Sequence, residues 1–473
     1  DLSFSSKNQH ISKVKKMTSK FRPFPFFFAV LGMVLLSLLT YNINNSRFTD
    51  WDESRHIVSA LQMLQSGNYI VNKWGAAVDM WNLKPPVSFW SLVITSKIFG
   101  ISLITMRIPS ILSGMLLFAI CAYSLNKRYN FIASLCFMLL FISCSKLITF
   151  HSFRSADPDA IYLLFIVLSV VILSFNCKTR NIAFAAFLVS LAFLTKSWHA
   201  LSIGFAFITA YFYQVKDRNL NFKSFIFPII CVSIPVILWL IARYQYDKFD
   251  FIIKMIDYDL LHRSSVQIEG HITSKWYYLD ILYENHFLLL IAFVSSLAIS
   301  ILSNGVKSTF SYDVNIILIS ILTLFAFFTL AQTRLPWYGY PHTLLMCYAT
   351  AILIGKSKHS WVLVVLVILP GSIIQLNSIY REISTYRLPD MYYQLSMINK
   401  DGKGAIYTPQ NISQSERAAL MVYGGFSQEQ IKISGHDSGY YLLKRSNDTF
   451  DGPKDKCMLI SRGNEFNIHT CKD

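Results

Sequence analysis

Long runs without charge set the narrowest limit on what this chain can fold into. Phe24 to Leu39, Ile161 to Phe175 and Trp361 to Leu369 hold no acidic or basic side chain, and a helix needs ~20 apolar residues to cross a bilayer. About eleven spans are predicted, near 24–42, 107–125, 131–149, 159–176, 181–195, 197–214, 224–242, 286–303, 313–331, 341–355 and 360–379. Composition agrees: over 473 residues, 53% hydrophobic content and 15% charge exceed what a soluble protein of this size can bury. Two stretches break the simple pattern. Val87 to Phe99 is too short to cross, a helix of only ~20 Å, and is predicted to lie in the interface. Ile182 to Tyr213 is too long for one span, and Thr195-Lys196-Ser197-Trp198-His199 inside it predicts a polar elbow between two.

A net charge of +16 would suit a nucleic-acid binder, but its distribution marks topology instead. Basic residues recur between apolar runs: in the arm from Lys7 to Arg22, then at Lys127-Arg128, Lys178, Arg180, Lys216, Arg218, Lys223, Lys307, Lys356 and Lys358. Placing these in the cytoplasm, as the positive-inside rule requires, gives one consistent threading. The N-terminus is then inside, the first span is retained rather than cleaved, and the C-terminus is outside. Three large segments, roughly 43–106, 243–285 and 380–473, face outward, so the chemistry is expected there.

The last segment differs in composition. Asp401-Gly402, Gly424-Gly425, Ser434-Gly435 and Asp451-Gly452 are turn signals between strand-like pieces such as Ala405-Ile406-Tyr407 and Tyr440-Tyr441-Leu442-Leu443. Its charge is balanced, twelve Lys and Arg against eleven Asp and Glu in 381–473. The expected fold is therefore mostly α: a polytopic membrane helical bundle in 1–380, with outer loop helices in 43–106 and 243–285, and a small extracytoplasmic α/β domain in 381–473. Six of the eight cysteines lie in or beside apolar runs and read as core residues. Only Cys457 and Cys471 share a polar region, where an outer location would permit a disulfide.

The first outer segment opens Thr49-Asp50-Trp51-Asp52-Glu53-Ser54-Arg55-His56, and Ile57, Ala60, Leu61 and Leu64 then repeat at helical spacing up to Gly67. Asp52 could simply cap this helix and Glu53 favour its dipole. Two acids just outside a span, on a helix whose apolar face can lie along the membrane, favour a site. Lys84-Pro85-Pro86 reads either as a helix start with a snorkelling lysine or as a cation held for a lipid phosphate. In His151 to Asp159, Asp157 before Pro158 reads as an N-cap. Asp157 and Asp159, two apart on a helix, point away from each other, and Asp157 is the candidate for the site. Lys196 in the elbow and Arg334 before Leu335-Pro336-Trp337-Tyr338 each end a hairpin of spans. If the helices close into one bundle, they join Lys84 and Arg263 in a cationic cluster facing two acids.

Taken in order, Asp52-Glu53-Ser54-Arg55, Lys84-Pro85-Pro86, Arg107-Ile108-Pro109-Ser110, Ala156-Asp157-Pro158-Asp159, Leu194-Thr195-Lys196, His271 to Tyr278 and Arg334 to Tyr338 resemble the aminoarabinose lipid A transferase and protein O-mannosyltransferase superfamily of type C glycosyltransferases. The resemblance implies an enzyme that moves a sugar from a polyprenyl-phosphate carrier with inversion. It implies Asp52 at the reaction centre and Asp157 near it as catalytic residues. Lys84 and Arg263 would bind the carrier phosphate with help from Lys196 and Arg334, and Glu53, His271 and Tyr338 complete the substrate-binding set. In the aminoarabinose branch a glutamate associated with a metal precedes the Lys-Pro, whereas here that position is Leu83. A divalent cation would have to draw on Asp79, or on Glu53 with His271.

The implied acceptor is lipid A, a related envelope glycolipid, or the Ser/Thr hydroxyl of a secreted protein. The resemblance leans to the lipid A branch. Membrane lipid is the other partner, nucleic acid is excluded, and a monomer in a bacterial inner membrane with a periplasmic C-terminal domain is expected. A transporter or flippase, the rival from another class, should carry charge near mid-membrane and show repeat symmetry. Here the charges collect at one face and no clear repeat is seen.

Overall fold

The computed structural model describes residues 23–217, 221–267, 274–398, 404–433, 440–448 and 456–471. Each of the eleven predicted stretches carries helix, namely α1 (Pro23–Thr40), α4 (Leu103–Arg128), α5 (Phe131–Ser143), α6 (Asp159–Leu173), α7 (Thr179–Lys196), α8 (Gly204–Lys216), α9 (Phe222–Asp247), α10 (Phe287–Asn304), α11 (Tyr312–Leu330), α12 (Tyr340–Lys356) and α13 (Trp361–Ser384). Among the described residues seven helical stretches are long and apolar enough to cross a membrane, with α7 and α8 counted as one run of 38 residues. The predicted elbow is a 3-10 turn over Ser197–Ile203 that joins these two. The stretch predicted at 131–149 is broken at Cys144, with a short second helix at Ser145–Thr149. Ser143, Ser145 and Lys146 flank the break, a short polar interruption within the apolar run.

α7 packs between α6 and α9, and α12 between α5 and α11. α12 is buried on all sides, from Tyr340 through Ile354. In α9, by contrast, only Ser224, Pro228, Trp239 and Arg243 are buried, and its remaining apolar side chains face outward. In water such a surface would be untenable, whereas hydrocarbon leaves it solvated, so interfaces in a bilayer are made by close packing of small residues.

Between α1 and α4 lie α2 (Asp52–Ser66), a small hairpin of β1 (Lys73–Trp74) and β2 (Ala77–Val78), and α3 (Val87–Phe99). The C-terminal segment holds β3 (Ile406–Tyr407), α14 (Gln414–Val422), β4 (Ile431–Lys432), β5 (Tyr440–Arg445), β6 (Cys457–Arg462) and β7 (Phe466–Cys471). Its sheet order is β4-β3-β5-β7-β6, parallel on the β3 side and antiparallel around β7. Cys457 and Cys471 are register partners on β6 and β7 and form a disulfide. Of the four turn signals, Gly424-Gly425 follows α14 and the other three lie outside the described residues. The sheet does not stand alone. Ile57, Leu61, Phe89 and Leu92 of the first outer segment share one apolar cluster with Leu395, Leu420, Leu443 and Phe466.

Close approach of α5 and α12 depends on Gly355, where a Cβ would lie 2.8 Å from the Ala133 Cβ and 2.9 Å from that of Tyr129. Gly355→Leu is expected to lower the thermal midpoint in detergent by several degrees. Gly204→Ala, where nothing lies within 4 Å, serves as the neutral control; equal midpoints for the two variants would refute the tight contact.

Candidate active site

The site is organised by one buried ion pair. Glu53, in the first turn of α2, is fully buried. Its Oε1 accepts Arg107 Nε at 2.8 Å and the Ala156 amide at 2.9 Å. Oε2 accepts Arg107 Nη2 at 3.1 Å, the Thr49 amide at 2.8 Å and the Thr49 hydroxyl at 3.0 Å. The remaining Arg107 donors reach the carbonyls of Ile43, Ser46 and Arg47. A carboxylate in an apolar interior is held only by such complete pairing, and here burial is outweighed by Arg107 and the two backbone amides, which hold the carboxyl below its usual range. These five donors correct the expectation that Glu53 binds substrate or metal: both its oxygens are committed to structure.

With its neighbour fixed, Asp52 stands at the helix start without a structural partner among the described residues. It is the first residue of α2, Trp51 holds the N-cap position, and no side chain caps the helix, so the capping role considered for Asp52 does not hold. Half-buried, it makes no hydrogen bond or ion pair among the described residues. Burial raises its pKa, but Lys84, His151, Lys196 and Arg263, in that order, outweigh this and hold the group ionised below its ordinary value. Those four charges come from four separate stretches of chain; three of them, Lys84, Lys196 and Arg263, belong to the expected cationic cluster, His151 does not, and Arg334 is not among the charges that act on Asp52.

The cations differ in what already holds them. Lys84 is half-buried and makes no ion pair or hydrogen bond among the described residues. Arg263 has an ion pair to Asp259 at 3.5 Å and donates to the Tyr338 hydroxyl at 3.4 Å. Lys196 is paired with Asp159 and sits 5.1 Å from the centre of the Tyr338 ring. Arg334 donates to the carbonyls of Thr329, at 3.0 Å, and Ser274, at 3.3 Å. His271 lies outside the described residues.

Asp157 accepts the Ser155 hydroxyl at 2.6 Å and pairs with His151 Nδ1 at 3.2 Å. The His151 ring stacks on Trp337, centroids 3.9 Å apart. Burial disfavours the charged imidazole, but Asp157, Asp52 and Asp159 prevail and raise its pKa to about 9. His151 and Arg107 stand in sequence motifs that assign neither a role, and Asp259 stands in none of them. Asp259 accepts the Ser197 hydroxyl at 2.7 Å. Its position four residues before Arg263 on a helical stretch was the signal that could have found it.

Backbone strain gathers at the same place. Trp51 (φ 66°), His151 (φ 48°) and Ser197 (φ 51°) are three of the five described non-glycine residues with positive φ, a conformation that costs ~1–3 kcal/mol and persists where surroundings over-determine it. Beside Arg263 a cavity of about 280 Å³ has Asp259, His199 and Tyr338 at its polar end and Phe327, Phe328 and Leu330 along its walls.

The residues do not fit the metal of the aminoarabinose branch. Leu83 is buried in the apolar core, Glu53 is saturated, and Asp79 is engaged by Arg55 through two contacts of 2.8 Å. Among the described residues no three His, Cys, Asp or Glu converge.

Because the raised His151 pKa stabilises the protonated folded form, that stability is complete below ~6.5, the unfolded value, and lost as pH rises through about 9. The thermal midpoint is expected to fall between pH 7 and 9.5, and His151→Gln to flatten that fall; an unchanged slope would remove His151 as its source.

Residues 83–244 match the family of dolichyl-phosphate-mannose-protein mannosyltransferases. Two uncharacterized proteins of Aquifex aeolicus (strain VF5) are 29% identical over 174 residues, 36% of this chain and 34% of the relative, and 26% identical over 259 residues, 54% and 55%. The chain thus spans from a third to about half of the length of these relatives. Among solved structures, ArnT from Cupriavidus metallidurans bound to undecaprenyl phosphate superposes with a TM-score of 0.68 at 12% identity, over 94% of this chain and 97% of that one. Its apo state gives 0.65 at 13% identity, over the same shares. The chain shares the fold of these ArnT structures, and its residues 83–244 match the sequence pattern of the dolichyl-phosphate-mannose-protein mannosyltransferases.

Proposed function

We propose that this chain is an integral membrane glycosyltransferase that moves a sugar from a polyprenyl-phosphate carrier to lipid A or a related envelope glycolipid at the periplasmic face of a bacterial inner membrane. The observation that carries this is the pairing that Asp52 and Lys84 do not make: Lys84 leads the cations that hold Asp52 below its ordinary value, yet the two form no ion pair among the described residues, so both remain available to a third group. The cavity beside Arg263 suits an anionic phosphate, and its Phe327, Phe328 and Leu330 lining suits a hydrocarbon tail; Lys84 is the second cation proposed for the phosphate. The neighbour solved with undecaprenyl phosphate supports the same class of ligand.

The chemistry follows from charge. As the anomeric carbon leaves its phosphate, positive charge grows on the sugar and negative charge on the leaving group. Lys84 and Arg263 stabilise the phosphate, arginine with a two-pronged contact. Asp52, held ionised, accepts the proton of an acceptor hydroxyl or steadies the oxocarbenium-like carbon, and one displacement inverts the centre. Asp157 acts through His151, whose charge helps keep Asp52 ionised. Lys196 and Arg334, already held by Asp159 and by carbonyls, contribute field more than contact.

A protein Ser/Thr acceptor is the second reading, favoured by the family match over 83–244. Incubating the purified chain with polyprenyl-phosphate sugars and following the added mass by mass spectrometry separates glycolipid from protein acceptors. In that assay Asp52→Asn is expected to abolish transfer with no loss of folded protein, and Lys84→Ala to raise the donor KM at least tenfold; near-normal transfer by Asp52→Asn would sink the assignment.

A further inference from the structure

Trp51 is a large apolar side chain that the fold covers only in part. Its side chain is 56% exposed, although it immediately precedes the residue at the reaction centre. Its backbone lies at φ 66°, ψ −105°, a region that glycine occupies freely and a tryptophan does not. The conformation is enforced from both sides. On one flank the Thr49 amide donates to Glu53 at 2.8 Å and the Ser415 amide to Asp50 at 2.7 Å. On the other, the Arg55 amide donates to the Trp51 carbonyl at 2.9 Å.

The ring is backed rather than left loose. Trp51 meets Trp81 with centroids 5.5 Å apart. Trp81 is in turn fixed by Arg55, whose guanidinium stands 4.6 Å from the Trp81 ring and 4.6 Å from the Trp74 ring while it grips Asp79. Trp51 leads into Asp52 and Trp81 lies three residues before Lys84, so the aromatic pair belongs to the two segments that carry the carboxylate and the ammonium. A bulky residue held in a strained, exposed conformation where glycine would be relaxed points to a surface kept for a ligand.

We propose that Trp51 is the platform on which a sugar ring stacks as it reaches Asp52, with the apolar face of a pyranose or furanose covering the indole. This rests on the transfer function proposed above. The ring can be the donor's sugar or the acceptor's, and the chemistry of recognition is the same.

Full-length chain in lipid nanodiscs is titrated with undecaprenyl phosphate and with undecaprenyl phosphate bearing a hexose or an aminopentose, and transfer kinetics are measured for donor and acceptor. Trp51→Ala is expected to bind the bare carrier as the wild type does. If the stacked ring is the donor's, Trp51→Ala binds the sugar-bearing carrier roughly fivefold to tenfold more weakly; if it is the acceptor's, the acceptor KM rises by that factor with donor binding unchanged. Trp51→Phe retains most of the affinity in either case. Trp51→Gly, which relieves the strain, raises the thermal midpoint yet shares the defect of Trp51→Ala, a split that a structural role would not produce. Unchanged sugar binding and unchanged KM values in Trp51→Ala overturn the platform alone. A wild-type chain that binds neither form of the carrier overturns the transfer function and the platform together.

Discussion

The Glu53–Arg107 pair is the constraint on which the outer half of the molecule depends. It ties the start of α2 to α4 and, through the Ala156 amide, to the loop before α6. Arg107 spends its other donors on the chain leaving α1. Removing one partner of such a pair strands a charge in an apolar interior, at a cost of ~3–5 kcal/mol. Its second effect is on the neighbouring position: with Glu53 turned inward and saturated, the adjacent carboxylate of Asp52 is presented outward among cations. Two consecutive acids thus divide into one that builds and one that is left open.

A similar division runs through the basic residues. Lys196 is matched by Asp159, Arg263 by Asp259, and Arg55 by Asp79, whereas Lys84 has no such partner among the described residues. Net positive field at the site therefore comes from a few uncompensated groups in a half-enclosed setting, where charge is screened less than in bulk water. The outward faces of α9 and of the other peripheral helices carry the opposite character, apolar and lacking partners within the chain. The carrier proposed here has the same two parts, a phosphate and a hydrocarbon tail.

Much of this was legible in the sequence, for reasons that also explain what was not. Absence of charge marks apolar helices, so each of the eleven stretches carries helix, although among the described residues seven helical stretches are long and apolar enough to cross a membrane; the elbow was found because Lys196 interrupts an apolar run. The break at Cys144 was passed over because Ser143, Ser145 and Lys146, which mark it, stand inside an otherwise apolar run. Asp52, Lys84, Arg263 and Arg334 were picked out as charges close to spans. The purpose of Glu53 was misread because its partners lie 54 and 103 residues further along the chain, and no local pattern says which of two adjacent acids will be buried. His151 escaped because its effect depends on the acids that the folded bundle gathers around it, whereas Asp259 had one local mark, its place four residues before Arg263.

The apolar cluster shared by the first outer segment and the C-terminal sheet has a consequence for how the protein is made. Phe48 meets Tyr392 with ring centroids 5.7 Å apart, and Asp50 takes its hydrogen bond from Ser415, 365 residues away. Segment 47–53 therefore waits, throughout translation, for strands and helices that the ribosome has yet to release. While the helices enter the bilayer one after another, the conformation that presents Asp52 lacks half of its support. It is completed only when the last-synthesised part of the described chain folds back onto the segment between α1 and α4, so a truncated nascent chain sits in the membrane without the finished setting of the proposed site.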